Sequence, residues 1–169
     1  MIYSRSAEYA IRGLVELALQ PAGKHQLAKR IASDASVPSY FLAKLLQDLV
    51  REGLLESNKG PGGGFRLALP ADRITLRRVA QAVDGAGRLE RCPAGSAECN
   101  DRAICPMHES WKTLRGEILA YLDQTTLADL ALSLESKRMQ EKRRADKRSA
   151  SEPVTAGPAK PKGGKRARR

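Results

Sequence analysis

Three cysteines and one histidine lie close together in this chain: Cys92, Cys99 and Cys105, separated by six and then five residues, followed by Pro106-Met107-His108. Thiolate and imidazole groups are the ligands that hold zinc and iron–sulfur clusters. Structural zinc sites usually draw cysteines in pairs about two to four residues apart, because a tight turn grips one small ion. The wider intervals here leave the segment free to wrap something larger, and three thiolates leave a fourth ligand position for another group. On spacing alone, a cluster, a structural zinc and free thiols in a polar loop all stay open. Enzyme chemistry fits poorly. The chain has only His25 and His108, no paired carboxylates beside the cysteines, and no nucleophile motif.

A second constellation is made of hydroxyls, cations and glycines. Phe41, Leu42, Leu45, Leu46, Leu49 and Val50 mark one helix, with Pro38 suited to its first turn and Gly53 to its end. Ser39, Tyr40, Ala43 and Lys44 fall on the opposite side, where hydroxyl and ammonium groups can bond base edges or phosphates. An ordinary solvated helix face carries similar residues. Downstream, Lys59-Gly60-Pro61-Gly62-Gly63-Gly64 separates two patterned strands. Backbone amides at Gly60, Gly62 and Gly63, flanked by Lys59 and Arg66, suit phosphate or minor-groove contact, since glycine lets the backbone approach closely. A nucleotide-cradling loop needs Gly-Lys-Ser/Thr opening a helix, whereas this turn opens a strand.

Periodicity supplies the elements that must position these residues. A first helix is predicted over about 6–19, with Ala7, Ala10, Ile11, Leu14, Val15 and Ala18 on one face, Ser4 as its cap and Pro21 as its stop. A short helix follows at about 25–32, then the turn Ser33-Asp34-Ala35-Ser36 and the Phe41–Val50 helix. Strands at 54–58 and 65–69 flank the glycine turn, with Phe65, Leu67 and Leu69 alternating. Further helices are predicted over about 75–83, 107–124 and 126–135, and the stretch 84–106 is aperiodic. The fold class is mainly α with a small β-hairpin wing: a winged helix-turn-helix followed by a long helix.

Charge divides the 169 residues unevenly. The chain holds 30 Lys/Arg and 19 Asp/Glu, a net +11, but residues 136–169 carry thirteen of the basic residues against three acids. The body is thus nearly neutral and the tail strongly basic. Residues 136–148 could extend a helix, while 149–169 have nothing to bury and read as disordered. No run approaches the ~18 apolar residues of a membrane span, and the first residues lack the apolar core of a secretory signal. Three cysteines without an export signal argue against a disulfide framework. The seven aromatics are scattered, too few for a base-stacking platform. The body reads as a cytoplasmic domain.

The segments MIYSRSAEYAIRGL, SYFLAKLLQDLVREGLL and KGPGGGFRL together resemble the Rrf-two family of bacterial winged helix-turn-helix transcription regulators. The resemblance runs on through the cysteine segment and the Trp111 helix to TLADL at 126–130, and the tail lies outside it. It implies residues 1–83 as a DNA-binding domain, 84–106 as a cluster loop and 107–135 as a dimerisation helix with a short terminal helix, and composition leaves 136–169 as a basic, largely disordered tail. It also implies a homodimer on a two-fold double-stranded DNA operator. Trp111, Leu114, Ile118 and Tyr121 form the apolar seam such a dimer needs, although one domain could bury the same stripe internally. In cluster-binding members, the three cysteines are joined by a variable fourth ligand. That ligand is either a histidine matching His108 or a carboxylate from the partner subunit's first helix, matching Glu8. The resemblance thus implies a regulator that senses cluster status, redox state or nitric oxide. A 2Fe–2S cluster is taken ahead of 4Fe–4S. The competing reading is a cofactor-free or zinc-stabilised dimeric regulator. The basic tail would add non-specific DNA contacts or serve only as a solubilising extension, and the protein would work in the bacterial cytoplasm, at the nucleoid.

Overall fold

The computed structural model describes residues 2–85, 99, 102 and 105–151. Helix α1 spans Arg5–Ala18 and opens on Ser4, whose hydroxyl accepts the Ala7 amide at 3.0 Å. Such a cap satisfies an amide that the helix cannot pair internally. Ala7, Ala10, Ile11, Leu14 and Val15 are buried along one face, as the spacing predicts. Gly13 belongs to that face as well: a Cβ there would sit 3.0 Å from Leu42 Cδ1.

Helix α2 spans Ala28–Asp34, about three residues later than its periodicity predicts. The cause is a long-range pairing. Gln26 donates its amide to the Phe65 carbonyl and accepts the Phe65 amide, both at 2.9 Å, which holds residue 26 extended. The turn after α2 passes through Ser36 in the left-handed region (φ 53°). Helix α3, Ser39–Arg51, buries Leu42, Leu45, Leu46 and Leu49. Strands β1 (Leu55–Asn58) and β2 (Gly64–Leu67) form an antiparallel hairpin with Glu56 opposite Arg66 and Asn58 opposite Gly64. Gly64 has to be glycine: its φ is 133°, and a Cβ would stand 2.3 Å from the Gln26 carbonyl oxygen.

Helix α4 (Leu76–Asp84) starts at Thr75, whose hydroxyl accepts the Arg78 amide. Helix α5 covers His108–Gln124. The turn between α5 and α6 is bonded to the start of α4 through Leu76 N–H to Thr125 O and Leu127 N–H to Ile74 O, both 2.9 Å. At the head of α6, the Thr126 amide and hydroxyl donate to Asp129 at 2.9 and 2.6 Å. These two bonds, the hydroxyl's first, hold the Asp129 carboxyl below its ordinary pKa.

Leu14, Ile31, Leu42, Leu46, Leu54, Ile74, Val79, Leu122 and Leu127 belong to one hydrophobic core. Residues from the predicted segments 1–83 and 107–135 therefore share a core. Met1–Glu135 is one compact unit and Ser136–Arg169 a second. The last helix takes up the extension that composition leaves open: α6 spans Leu127–Ser151, continuing the short helix at 126–135 through 136–148 and three residues into the stretch read as disordered. Its later residues, 136–151, are rich in Lys, Arg, Glu, Gln, Met and Ala, all strong helix formers that need no apolar face. The tail positions 152–169 lie outside the described residues, as does most of the expected 84–106 loop, including Cys92.

Candidate DNA-binding face and cysteine–histidine centre

Burial of its leucine stripe fixes which side of α3 meets solvent. Ser39, Tyr40 and Lys44 are exposed, Tyr40 at 82%, and Ala43 is half-buried between them. Helix-turn-helix proteins read the major groove with the start of this helix. Exposed Gln47 continues the same face at i+4 from Ala43 and was missed in the sequence, although the helical spacing carries it. Tyr40 packs edge-on to Phe41, which in turn meets Tyr9 of α1, so the exposed ring is braced from below.

The hairpin turn divides its residues by role. Lys59, Gly60 and Gly62 are exposed, but Gly63 is buried. A Cβ at Gly63 would lie 2.5 Å from the Asn58 carbonyl oxygen. Its place is inside the turn rather than on a contact surface. Arg66 also differs from the simple picture of a free cation: its Nε donates to Glu56 Oε2 at 2.8 Å across the hairpin. Arg30 and Arg51 are likewise paired, with Asp34 and Asp48. In contrast Lys24, Lys29, Lys44 and Lys59 are exposed and carry no ion pair among the described residues. Among the described residues of the helix-turn-helix and the wing, the cations open to phosphate are therefore lysines.

Arg12 of α1 bonds the helix-turn-helix turn itself, donating to the carbonyls of Ala35 and Ser36. Glu8, one turn earlier, pairs with Arg12 at 3.8 Å. Tyr3 stands near both Glu8 and Tyr121, and burial first, then those two groups, pushes its phenol pKa up. At the helix start, the Ser4 amide donates to Asp84 Oδ2 at 2.7 Å and the Ser4 hydroxyl to Oδ1. The end of α4, where the cysteine segment begins, is thereby fastened to the head of α1.

Cys99 and His108 come together: Sγ and Nδ1 are 3.7 Å apart, and His108 is only 6% exposed at the first residue of α5. Two ligands on one tetrahedral metal, with sulfur at about 2.3 Å and nitrogen at about 2.0 Å, would stand about 3.5 Å apart. The observed pair fits that arrangement. Cys105 is half-buried one turn earlier, its carbonyl accepting the His108 amide at 3.1 Å. Glu8 does not join this pair within the chain. Among the described residues no group of three or more potential ligands stands together.

Along α5, Leu114 and Tyr121 are 49% and 52% exposed, and Trp111 and Ile118 are half-buried. Of this helix's apolar residues Leu122 is buried in the core, and Ile118 packs against it. No helix among the described residues is long and apolar enough to cross a membrane.

Comparison with known proteins agrees with the winged-helix fold. The chain is 34% identical over 143 residues to an HTH-type transcriptional regulator of Aquifex aeolicus, covering 82% of this chain and 96% of that protein. It is 27% identical over 146 residues to the HTH-type transcriptional regulator IscR of Aliivibrio salmonicida, covering 86% of each. Its fold is similar to CymR, the global cysteine regulator of Bacillus subtilis, with a TM-score of 0.65 at 27% identity over 77% of this chain and 95% of that one. The IscR of T. potens shares the fold, with a TM-score of 0.65 at 22% identity, over 79% and 88% of the two chains. Residues 3–132 match the family Rrf2, "Iron-dependent Transcriptional regulator", so the chain belongs to the Rrf2 family of winged helix-turn-helix transcriptional regulators and is not an enzyme.

Proposed function

We propose that this regulator binds a two-fold DNA site as a homodimer and that an iron–sulfur cluster held at Cys92, Cys99, Cys105 and His108 sets its affinity. The observation that carries this reading is the pairing of Cys99 with buried His108 at the head of α5. A cluster held there would supply a redox-active group and tie the cysteine segment to α5, a link that its loss would remove. A 2Fe–2S form suits a mixed cysteine–histidine set, because imidazole can replace thiolate on one iron. The carboxylate of the partner subunit's first helix, at the position of Glu8, is the other candidate for the fourth ligand.

The chain's own bonds offer a path from this centre to DNA. The cysteine segment leaves α4 next to Asp84, Asp84 holds Ser4 at the start of α1, and Arg12 of α1 holds the turn before α3. Tyr40, Lys44 and neighbouring Ser39 would contact bases or phosphates, and Lys59 with the amides of Gly60 and Gly62 would meet the backbone or minor groove. Exposed Leu114 and Tyr121 support self-association along α5. The basic unit 136–169 would add sequence-independent phosphate contacts, which steepen the salt dependence by about 0.9 per phosphate. Such a protein would act in the cytoplasm, at the nucleoid.

A cofactor-free dimer is the second reading. It is favoured by the same 3.7 Å separation, which also suits a thiol–imidazole hydrogen bond without any metal. Purification without oxygen, with an absorption spectrum and iron and sulfide counts beside a Cys99→Ala variant, separates the two. A visible band with matching iron and sulfide, lost in the variant, is the expected result. A colourless protein that resists reconstitution would leave the cofactor-free dimer.

A further inference from the structure

The indole of Trp111 is out of balance with its surroundings. Its Nε1 is buried and has no hydrogen-bond partner. Indole nitrogen is a donor only, so the atom lacks an acceptor. Buried donors left unmet are rare in folded proteins, because burial strips their water without replacing it. The backbone here is ordinary, with the Trp111 amide donating to Met107 O at 2.9 Å, so the orphan is the side chain alone. Neighbouring hydroxyls are turned to their own helix: Ser110 donates to Met107 O and Thr113 to Glu109 O, both at 3.1 Å.

Trp111 stands three residues after His108 on α5, one helical turn away and on the same side. That side is where Cys99 Sγ approaches His108. A thiolate or sulfide gathered there would be an anionic, weakly hydrated acceptor of the kind the indole lacks. We propose that the Trp111 N–H donates a hydrogen bond to an anionic sulfur of the cluster centre at Cys99 and His108 and thereby sets its reduction potential. The inference rests on the cluster reading above and assigns Trp111 a tuning role beside the ligands. Hydrogen bonds to cluster sulfurs favour the more negative, reduced state and so raise the potential.

The test uses the full chain loaded with cluster, titrated with dithionite under anaerobic conditions, beside Trp111→Phe. At the wild-type midpoint, the reduced fraction of the variant should fall from one half to about a tenth. That is a tenfold change in ratio, or ~59 mV for a one-electron couple. Trp111 is the only tryptophan, so biosynthetic replacement with benzothienylalanine gives an isostere without the N–H. It should show the same shift, and it decides the matter if the Phe variant fails to load. The same single indole gives an optical check: its fluorescence should fall as iron and sulfide are incorporated. A loaded variant and a loaded isostere with wild-type midpoints would overturn the proposal. So would an unchanged midpoint with weakened self-association, which would assign the N–H to the partner subunit. A wild-type chain that never loads would overturn this inference together with the cluster reading. A loaded wild type with an unmoved midpoint in both replacements overturns this one alone.

Discussion

Helices α3 and α5 are both amphipathic, and their apolar faces meet different fates. In α3 the stripe Leu42, Leu45, Leu46 and Leu49 is buried by the chain itself, which leaves Ser39, Tyr40 and Lys44 outward. In α5, Leu122 is buried in the core and Ile118 packs against it, while Leu114 and Tyr121 remain about half exposed. The first helix is finished by folding. The second presents apolar area that the described residues do not cover, along the helix that His108 begins. On the function proposed, burial thus separates a helix positioned for reading from one positioned for assembly and control.

Substitutions in each helix sharpen the contrast. Leu46→Ala removes a fully buried side chain from the shared core and should cost about 2–5 kcal/mol in denaturant unfolding. A loss below about 1 kcal/mol would mean that α3 is not locked into the core as described. Leu114→Glu should leave protomer unfolding almost unchanged yet weaken self-association by about 2 kcal/mol or more, as loss of a central interface contact does. Sedimentation at graded concentrations measures this, and an undiminished dimer would move the interface away from α5.

Smaller effects belong to DNA contacts. Lys44→Ala should reduce specific binding by about 1–3 kcal/mol and relax sequence preference if the ammonium meets a base edge. Lys59→Ala should weaken all duplexes alike and lower the salt slope by about 0.9. Arg66→Ala should do less than Lys59→Ala, since Glu56 already holds the guanidinium. Equal losses at the two wing positions would show that DNA displaces Glu56 from Arg66.

Much of this arrangement was legible from spacing. The α1 and α3 stripes, the glycine turn between strands and the helix starting near Cys105 all follow from local patterns, which fix elements whose burial depends on their own sequence. The start of α2 did not follow, because Gln26 is held extended by Phe65, nearly forty residues away. Helix α6 takes up the extension that composition left open at 136–148, because a helix rich in Lys, Arg and Glu persists without an apolar face. At the wing, residue type marked Arg66 and Gly63 as contact groups. Hairpin register instead gives Arg66 to Glu56 and folds Gly63 into the turn. The cysteine spacing pointed to ligand chemistry, whereas only the fold brings Cys99 to a buried His108.

On the function proposed, the centre at α5 governs the reading surface at α3. This is tested most directly by selecting a duplex site from a random library with the cluster-loaded protein, then measuring its affinity for loaded and apo protein at one salt concentration. A difference of about 5–150-fold is expected, the usual size of coupling between two sites. Equal affinities for the two forms would contradict it.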